Sequence, residues 1–265
     1  RQPAAFCGIV GLKPTYGAVS RYGLMAMGSS LDQISPFGKT VADVEMVFEV
    51  IKGVDPKDPT TIEISDNPTP NKDNKKIGIP RDFLEKGLTP EIKNNFEKVL
   101  NKLSDSGYEL VDVSMPNISY SLPVYYIIMP AEVSANLARF DGVRYGYHFE
   151  GKDLLEDYIK TRGIGFGKEP RRRIILGTYV LSSGYYDAYY KKAEEVRSLI
   201  KNDFRNVFGG ENGVSTIITP TTPSPAFKIG EKTSDPLTMY LEDIFTVPAS
   251  ITGLPAISIP SGFAN

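Results

Sequence analysis

The chain has 265 residues, 41% of them hydrophobic and 23% charged, with a formal net charge of -2, one Cys and one His. That length fits one large domain or two small ones and can bury a core without disulfide or metal staples. The lone cysteine excludes an internal disulfide and points to a reducing compartment; with a single histidine, a Cys/His zinc site is excluded too. The small negative charge argues against a strong overall field for nucleic-acid phosphates. No apolar run reaches the ~18 residues of a membrane span, and the opening residues do not read as a signal peptide.

The sequence opens on Arg1-Gln2-Pro3-Ala4-Ala5-Phe6-Cys7-Gly8-Ile9-Val10-Gly11, apolar almost at once, and stops just past another apolar run. Natural termini are usually polar and frayed, so the sequence is expected to be a fragment. Residues 1–40 mix Gly, Ser and Pro with short apolar stretches, which predicts tight turns and short strands rather than a helix. Val41–Lys52 has nearly helical spacing with Gly53 as its stop, and residues 55–75 read as a polar surface excursion. Lys76–Pro80 reads as a strand. Thr89 then caps a helix starting at Pro90, with Ile92, Phe96, Val99, Leu100 and Leu103 as its apolar stripe and Gly107 as its end. With Tyr108–Val113 as the next strand, this is a βαβ unit with parallel strands and a right-handed crossover.

Residues 122–207 read as helical throughout, broken near Asp141-Gly142, Gly163–Gly167 and Ser182–Gly184. Val214–Ile218 reads as an apolar strand, Leu237–Phe245 as a short helix and Pro255–Pro260 as a buried strand. The elements together predict an α/β fold, a mixed sheet covered by helices on both faces and incomplete at both ends.

His148 alone could serve a Ser-His-Asp or Cys-His mechanism, and its setting between Tyr145 and Glu150 better suits a partly exposed loop histidine. Cys7, between Phe6 and Gly8, reads as a small buried hydrophobe rather than an activated thiolate. Gly8–Lys13 lacks phosphate-loop spacing, so its glycines read as sites of close backbone packing. Arg171-Arg172-Arg173 precedes Ile174-Ile175-Leu176. Three cations near a helix N-terminus oppose its dipole, and at ~100° per residue at least one points inward. Asp243, among Leu241, Ile244 and Phe245, is a carboxylate that needs a partner. An inward Arg and Asp suit a zwitterion, the Arg on an α-carboxylate and the Asp on an α-amino group; they equally suit a structural salt bridge with each other. The pairs Tyr125-Tyr126, Tyr185-Tyr186 and Tyr189-Tyr190 read as helix faces with hydroxyls at an edge.

Arg1–Gly17 is similar to the tail of the amidase signature, which in that family follows a Gly-Gly-Ser-X element. Ser20–Leu24, Ser29–Ile34, Ala138–Gly146, Asp235–Tyr240 and Gly253–Pro260 extend the match, the Ala138 and Asp235 stretches being the most specific. The whole chain thus resembles the amidase signature family, and within it the A-subunit branch of the glutamyl-tRNA(Gln)/aspartyl-tRNA(Asn) amidotransferases. The resemblance implies the amidase signature fold, with residues 1–265 as the C-terminal part of a single amidase domain lacking its N-terminal catalytic part and last segment. It implies a Ser–cis-Ser–Lys triad upstream of Arg1, with the nucleophile two positions before it, that hydrolyses glutamine through an acyl-enzyme; Lys acts through the bridging Ser as the base. No catalytic residue would then lie in this chain, and alone it would release no ammonia.

What the resemblance leaves here is glutamine recognition: Arg173 gripping the α-carboxylate, Asp243 the α-amino group, and Tyr125 lining the pocket. It further implies a cytoplasmic heterotrimer with B and C subunits. ATP and Mg²⁺ act at the B subunit, which also takes most of the contact with misacylated tRNA; this chain holds no cofactor and no metal and meets no membrane. The alternatives are a stand-alone amidase of the same fold acting on another amide, or a non-catalytic binding or assembly relative.

Overall fold

The computed structural model describes residues 1–64, 74–84, 87–210, 213–233 and 235–263. It opens on a helix, α1 (Gln2–Cys7), where turns and short strands were expected. The signal is local: Pro3 lies in the first turn, where its missing N–H costs nothing, and Gly8 ends the helix in the left-handed region at φ 66°. Only Ala4 of α1 is buried, so Cys7 at its end is exposed, not the buried hydrophobe expected. Gly11, in β1 (Val10–Lys13), does serve close packing: a Cβ there would lie 2.7 Å from Ala4 Cβ.

β1 is the middle strand of an antiparallel sheet, with β2 (Phe37–Gly38) on one side. The expected helix is present as α2 (Val41–Ile51), started by a capping box. Asp43 N–H donates to Thr40 Oγ1 at 3.1 Å and Thr40 N–H to Asp43 Oδ2 at 2.9 Å. The polar stretch after it is described as far as residue 64 and again from 74; its middle lies outside the described residues.

The βαβ unit is present and parallel. β3 (Lys76–Ile79) leads through the single turn α3 (Arg81–Leu84) and α4 (Pro90–Asp105) to β4 (Glu109–Asp112), with Ile77 paired to Leu110. Phe96 and Leu100, four residues apart on one face of α4, pack with Ile79, Leu84 and Phe245 as a core cluster. Thr89 holds the N-cap position but makes no capping bond. Its backbone N–H donates to Pro223 O at 2.9 Å, and its hydroxyl is buried without a partner among the described residues.

A single 3₁₀ turn (Ile118–Tyr120) leads into the helical region, which comprises α5 (Ser121–Leu137), α6 (Leu154–Gly165), α7 (Lys168–Leu181), a π turn (Tyr186–Lys191) and α8 (Lys192–Phe208). β5 (Thr216–Ile217) returns to β3 as its second parallel neighbour. The helix expected over 237–245 stops early, as α9 (Pro236–Leu241); a turn over 242–246 replaces its second half, and a further helix, α10 (Val247–Thr252), follows where none was expected. β6 (Ala256–Ser258) pairs with β1. Among the described residues it is an edge strand with one neighbour, and Ile257 stays 46% exposed where a buried strand was expected.

The architecture is therefore α/β, and instead of the one mixed sheet expected, the strands among the described residues form two three-stranded sheets, one antiparallel (β2-β1-β6) and one parallel (β4-β3-β5). Residues Arg1–Tyr22, Gln33–Leu122 and Val196–Asn265 form one compact unit, which holds both sheets; Gly23–Asp32 with Pro123–Glu195 form a second, helical one. In the helical unit Met129, Val133 and Leu137 of α5 pack with Leu31, Phe140, Phe166 and Ile174. There α7 meets α5 at backbone distance, for a Cβ on Gly177 would fall 1.8 Å from the Pro130 carbonyl oxygen. No helix among the described residues is long and apolar enough to cross a membrane.

Candidate functional site

In the helical unit the site is built on facing turns of α5 and α7. Gly167 caps α7, and Glu169 sits in its first turn, where a carboxylate complements the helix dipole. Three and four residues on, Arg172 and Arg173 reach back to it: Arg173 Nε donates to Glu169 Oε1 at 2.8 Å, and Arg172 Nη1 bonds Glu169 Oε2. Arg173 is the inward arginine of the triplet, its side chain 20% exposed. Arg171 faces outward over the carbonyls of Gly163 and Gly167. Glu169 thus offsets the dipole conflict that the triplet alone creates.

Tyr125 and Met129, four residues apart on α5, supply the opposite wall. Arg173 Nη1 donates to Met129 Sδ at 3.2 Å, and the Tyr125 and Tyr126 rings meet edge-on at 5.0 Å. A thioether is a weak acceptor, and Arg173 Nη2 makes no hydrogen bond among the described residues. Burial works against the guanidinium charge, yet the Glu169 hydrogen bond and the neighbouring Tyr125 hold its pKa above the ordinary arginine value. Chemically this is a fixed cation with one donor end uncommitted, the form that receives a carboxylate.

Asp243 belongs to the other unit, half-buried in the turn between α9 and α10. Its carbonyl accepts from Thr246 N, Val247 N and Thr246 Oγ1, each at 3.0 Å, which winds the turn tightly. The preceding residue, Glu242, is buried; it pairs with Lys232 and accepts from Ser224 Oγ at 2.9 Å. Lys232 also lies over the Phe227 ring at 4.7 Å. On the other side Arg1 Nη2 donates to Thr246 O at 2.6 Å and to Ser250 Oγ at 2.9 Å. Burial pulls the Arg1 guanidinium down to about 10, with the charge of Asp243 opposing. Lys13, donating to Pro14 O and Leu254 O, is pushed down to about 7 by burial and then by Arg1.

Of the residues singled out from the sequence, Tyr125 and Arg173 come together in the helical unit, and Asp243 lies in the sheet-bearing one. His148 is exposed in a stretch without regular structure, as expected. Among the described residues no group of three or more His, Cys, Asp and Glu could hold a metal ion.

The amidase family profile matches residues 1–265. This chain belongs to the amidase family. It is 56% identical over 270 residues to the A subunit of the glutamyl-tRNA(Gln) amidotransferase of Carboxydothermus hydrogenoformans, covering 99% of the chain and 55% of that relative. It is 57% identical over 274 residues to the corresponding protein of a Sulfurihydrogenibium species, covering 100% and 55%. Among solved structures, the A subunit of the glutamyl-tRNA(Gln) amidotransferase of Thermotoga maritima aligns with a TM-score of 0.74 and 41% identity over 100% of this chain and 53% of its own. An allophanate hydrolase from Kluyveromyces lactis aligns at TM-score 0.76 with 22% identity over 98% and 39%, a likeness of fold alone. The chain spans about half the length of the curated relatives it matches.

Sequence reasoning about this chain missed Glu169, Met129, Arg1 and the Lys232–Glu242 pair. A signal existed for the first two. Glu169 precedes Arg173 by four residues and Met129 follows Tyr125 by four, the spacing at which helical neighbours touch. Nothing local announces that Arg1 meets Thr246 or that Lys232 meets Glu242.

Proposed function

We propose that the complete polypeptide is the glutamine-hydrolysing member of a tRNA-dependent amidotransferase, which supplies ammonia to convert Glu-tRNA(Gln) or Asp-tRNA(Asn) to the cognate amide. The observation that carries this reading is the 56–57% identity to relatives named as that enzyme's A subunit, over essentially the whole chain. The uncommitted end of Arg173 beside Tyr125 supports it, since a hydrolase of uncharged amides has no use for an inward cation.

In this reading Arg173 receives the glutamine α-carboxylate, Tyr125 lines the pocket and Asp243 receives the α-ammonium group. The serine nucleophile, on polypeptide N-terminal to Arg1, attacks the side-chain amide carbon. Ammonia leaves, and water then releases glutamate from the acyl-enzyme. This chain's part is to orient the substrate by its two charges, so that the amide carbon meets the nucleophile in one pose. B and C subunits complete a cytoplasmic heterotrimer, with ATP, Mg²⁺ and most of the tRNA contact at the B subunit.

The test is the coding sequence immediately upstream of Arg1, followed by glutamine-dependent ammonia release from the complete enzyme. The reading predicts Gly-Gly-Ser-X before Arg1 and loss of ammonia release when that serine becomes alanine. No serine two positions before Arg1 would make the protein a binding or assembly relative instead. A serine with turnover of other amides but not of glutamine would make it a stand-alone amidase.

A further inference from the structure

Among the described residues Glu169 is the acidic partner of the Arg173 guanidinium, and the way it is held assigns it a task. Its Oε1 takes Arg173 Nε at 2.8 Å, while Oε2 is taken by Arg172. With Nε committed, the Nε–Nη2 side of Arg173 is closed to a two-point grip on a second carboxylate. At the remaining end, beside Tyr125 and Tyr126, Nη1 donates to the Met129 thioether at 3.2 Å, a weak acceptor that an anion displaces easily. A long arginine side chain otherwise samples many rotamers. Here three groups, Arg172, Glu169 and Met129, reduce it to one presentation.

We propose that Glu169 is a positioning residue for substrate recognition: gripped by Arg172, it holds Arg173 by Nε and so presents the Nη1–Nη2 end to the substrate's α-carboxylate. This rests on the reading of Arg173 as the carboxylate holder and deepens it. Arg172, facing outward, acts as the brace for Glu169 rather than as a second ligand contact. The net charge of the three side chains is one positive, matching one carboxylate. Glu169 keeps 38% of its side chain exposed, so shortening it leaves the helix packing intact.

The experiment uses the complete polypeptide with its partner subunits and steady-state ammonia release. It compares L-glutamine with glutamine α-amide, in which a neutral carboxamide replaces the α-carboxylate. Glu169→Ala is expected to raise the glutamine KM about tenfold with kcat within about twofold, a loss of the kind that removal of a binding-mode constraint gives. Glu169→Gln keeps an oxygen acceptor for Nε and is expected to stay within about threefold of the parent KM. The α-amide KM should be unmoved by Glu169→Ala, and Glu169→Ala should add nothing on an Arg173→Ala background.

An unchanged glutamine KM in Glu169→Ala overturns the proposal, as does an equal rise for the α-amide or full additivity with Arg173→Ala. The two readings fail separately. An unchanged KM in Arg173→Ala overturns the assignment of Arg173 itself. A raised KM there with a parental KM in Glu169→Ala overturns the positioning role alone.

Discussion

Arg173 and Asp243 are held in opposite ways. Arg173 takes its fixing contacts from Glu169 one helical turn away and from Met129 on the facing helix of the same unit. The Asp243 turn is fixed from afar, by Arg1 through Thr246 and Ser250 and by Lys232 and Ser224 through Glu242. The partly exposed, local arrangement tolerates loss of one partner. The buried one does not, because removing an anion leaves a cation stranded in a medium that solvates it poorly.

The largest expected effect follows from that contrast. Glu242→Ala strands Lys232, whose side chain is only 16% exposed, and should cost about 3 kcal/mol in the denaturation midpoint of the intact polypeptide. Glu169→Ala, removing a carboxylate that is 38% exposed from two arginines, should cost less than about 1 kcal/mol in the same measurement. Equal losses would remove the distinction between the two sites.

A second buried lysine sharpens the same point by pH. Among the described residues Lys13 donates to carbonyls alone, and in the fold it keeps its proton only up to about 7, against 10.5 for the ordinary side chain. Between those values the unfolded chain binds more protons than the folded one, so this group makes stability rise with pH, at no more than about 1.4 kcal/mol per pH unit. The neutral amine still donates to both carbonyls. Lys13→Met should flatten the rise in unfolding free energy from pH 7 to pH 10 relative to the parent. An identical slope in the variant would place a charged lysine in the fold.

The parts of the fold legible in the sequence were those with local causes. Thr40 and Asp43 start α2, Phe96 and Leu100 repeat along α4, and the short apolar strands at 76 and 109 pair in parallel. α1 was legible too, from Pro3 and Gly8, but six residues carry too little periodicity to outweigh a Gly- and Ser-rich neighbourhood. The exposure of Cys7 and Ile257 was not legible, because it depends on which face of α1 turns inward and on β6 having a single neighbour. At the site, at least one inward arginine of the three was expected from helix geometry, and Arg173 fills that place. Its Glu169 partner was readable at four-residue spacing, whereas the Arg1 clamp on the Asp243 turn spans 245 residues of sequence.

The most direct test of the account is the glutamine KM of the complete enzyme carrying Arg173→Ala, and separately Asp243→Ala. Loss of a charge-assisted contact worth about 1.5–3 kcal/mol predicts a rise of about tenfold or more in each, with activity recoverable at high glutamine. Parental glutamine kinetics in both variants would contradict the zwitterion reading.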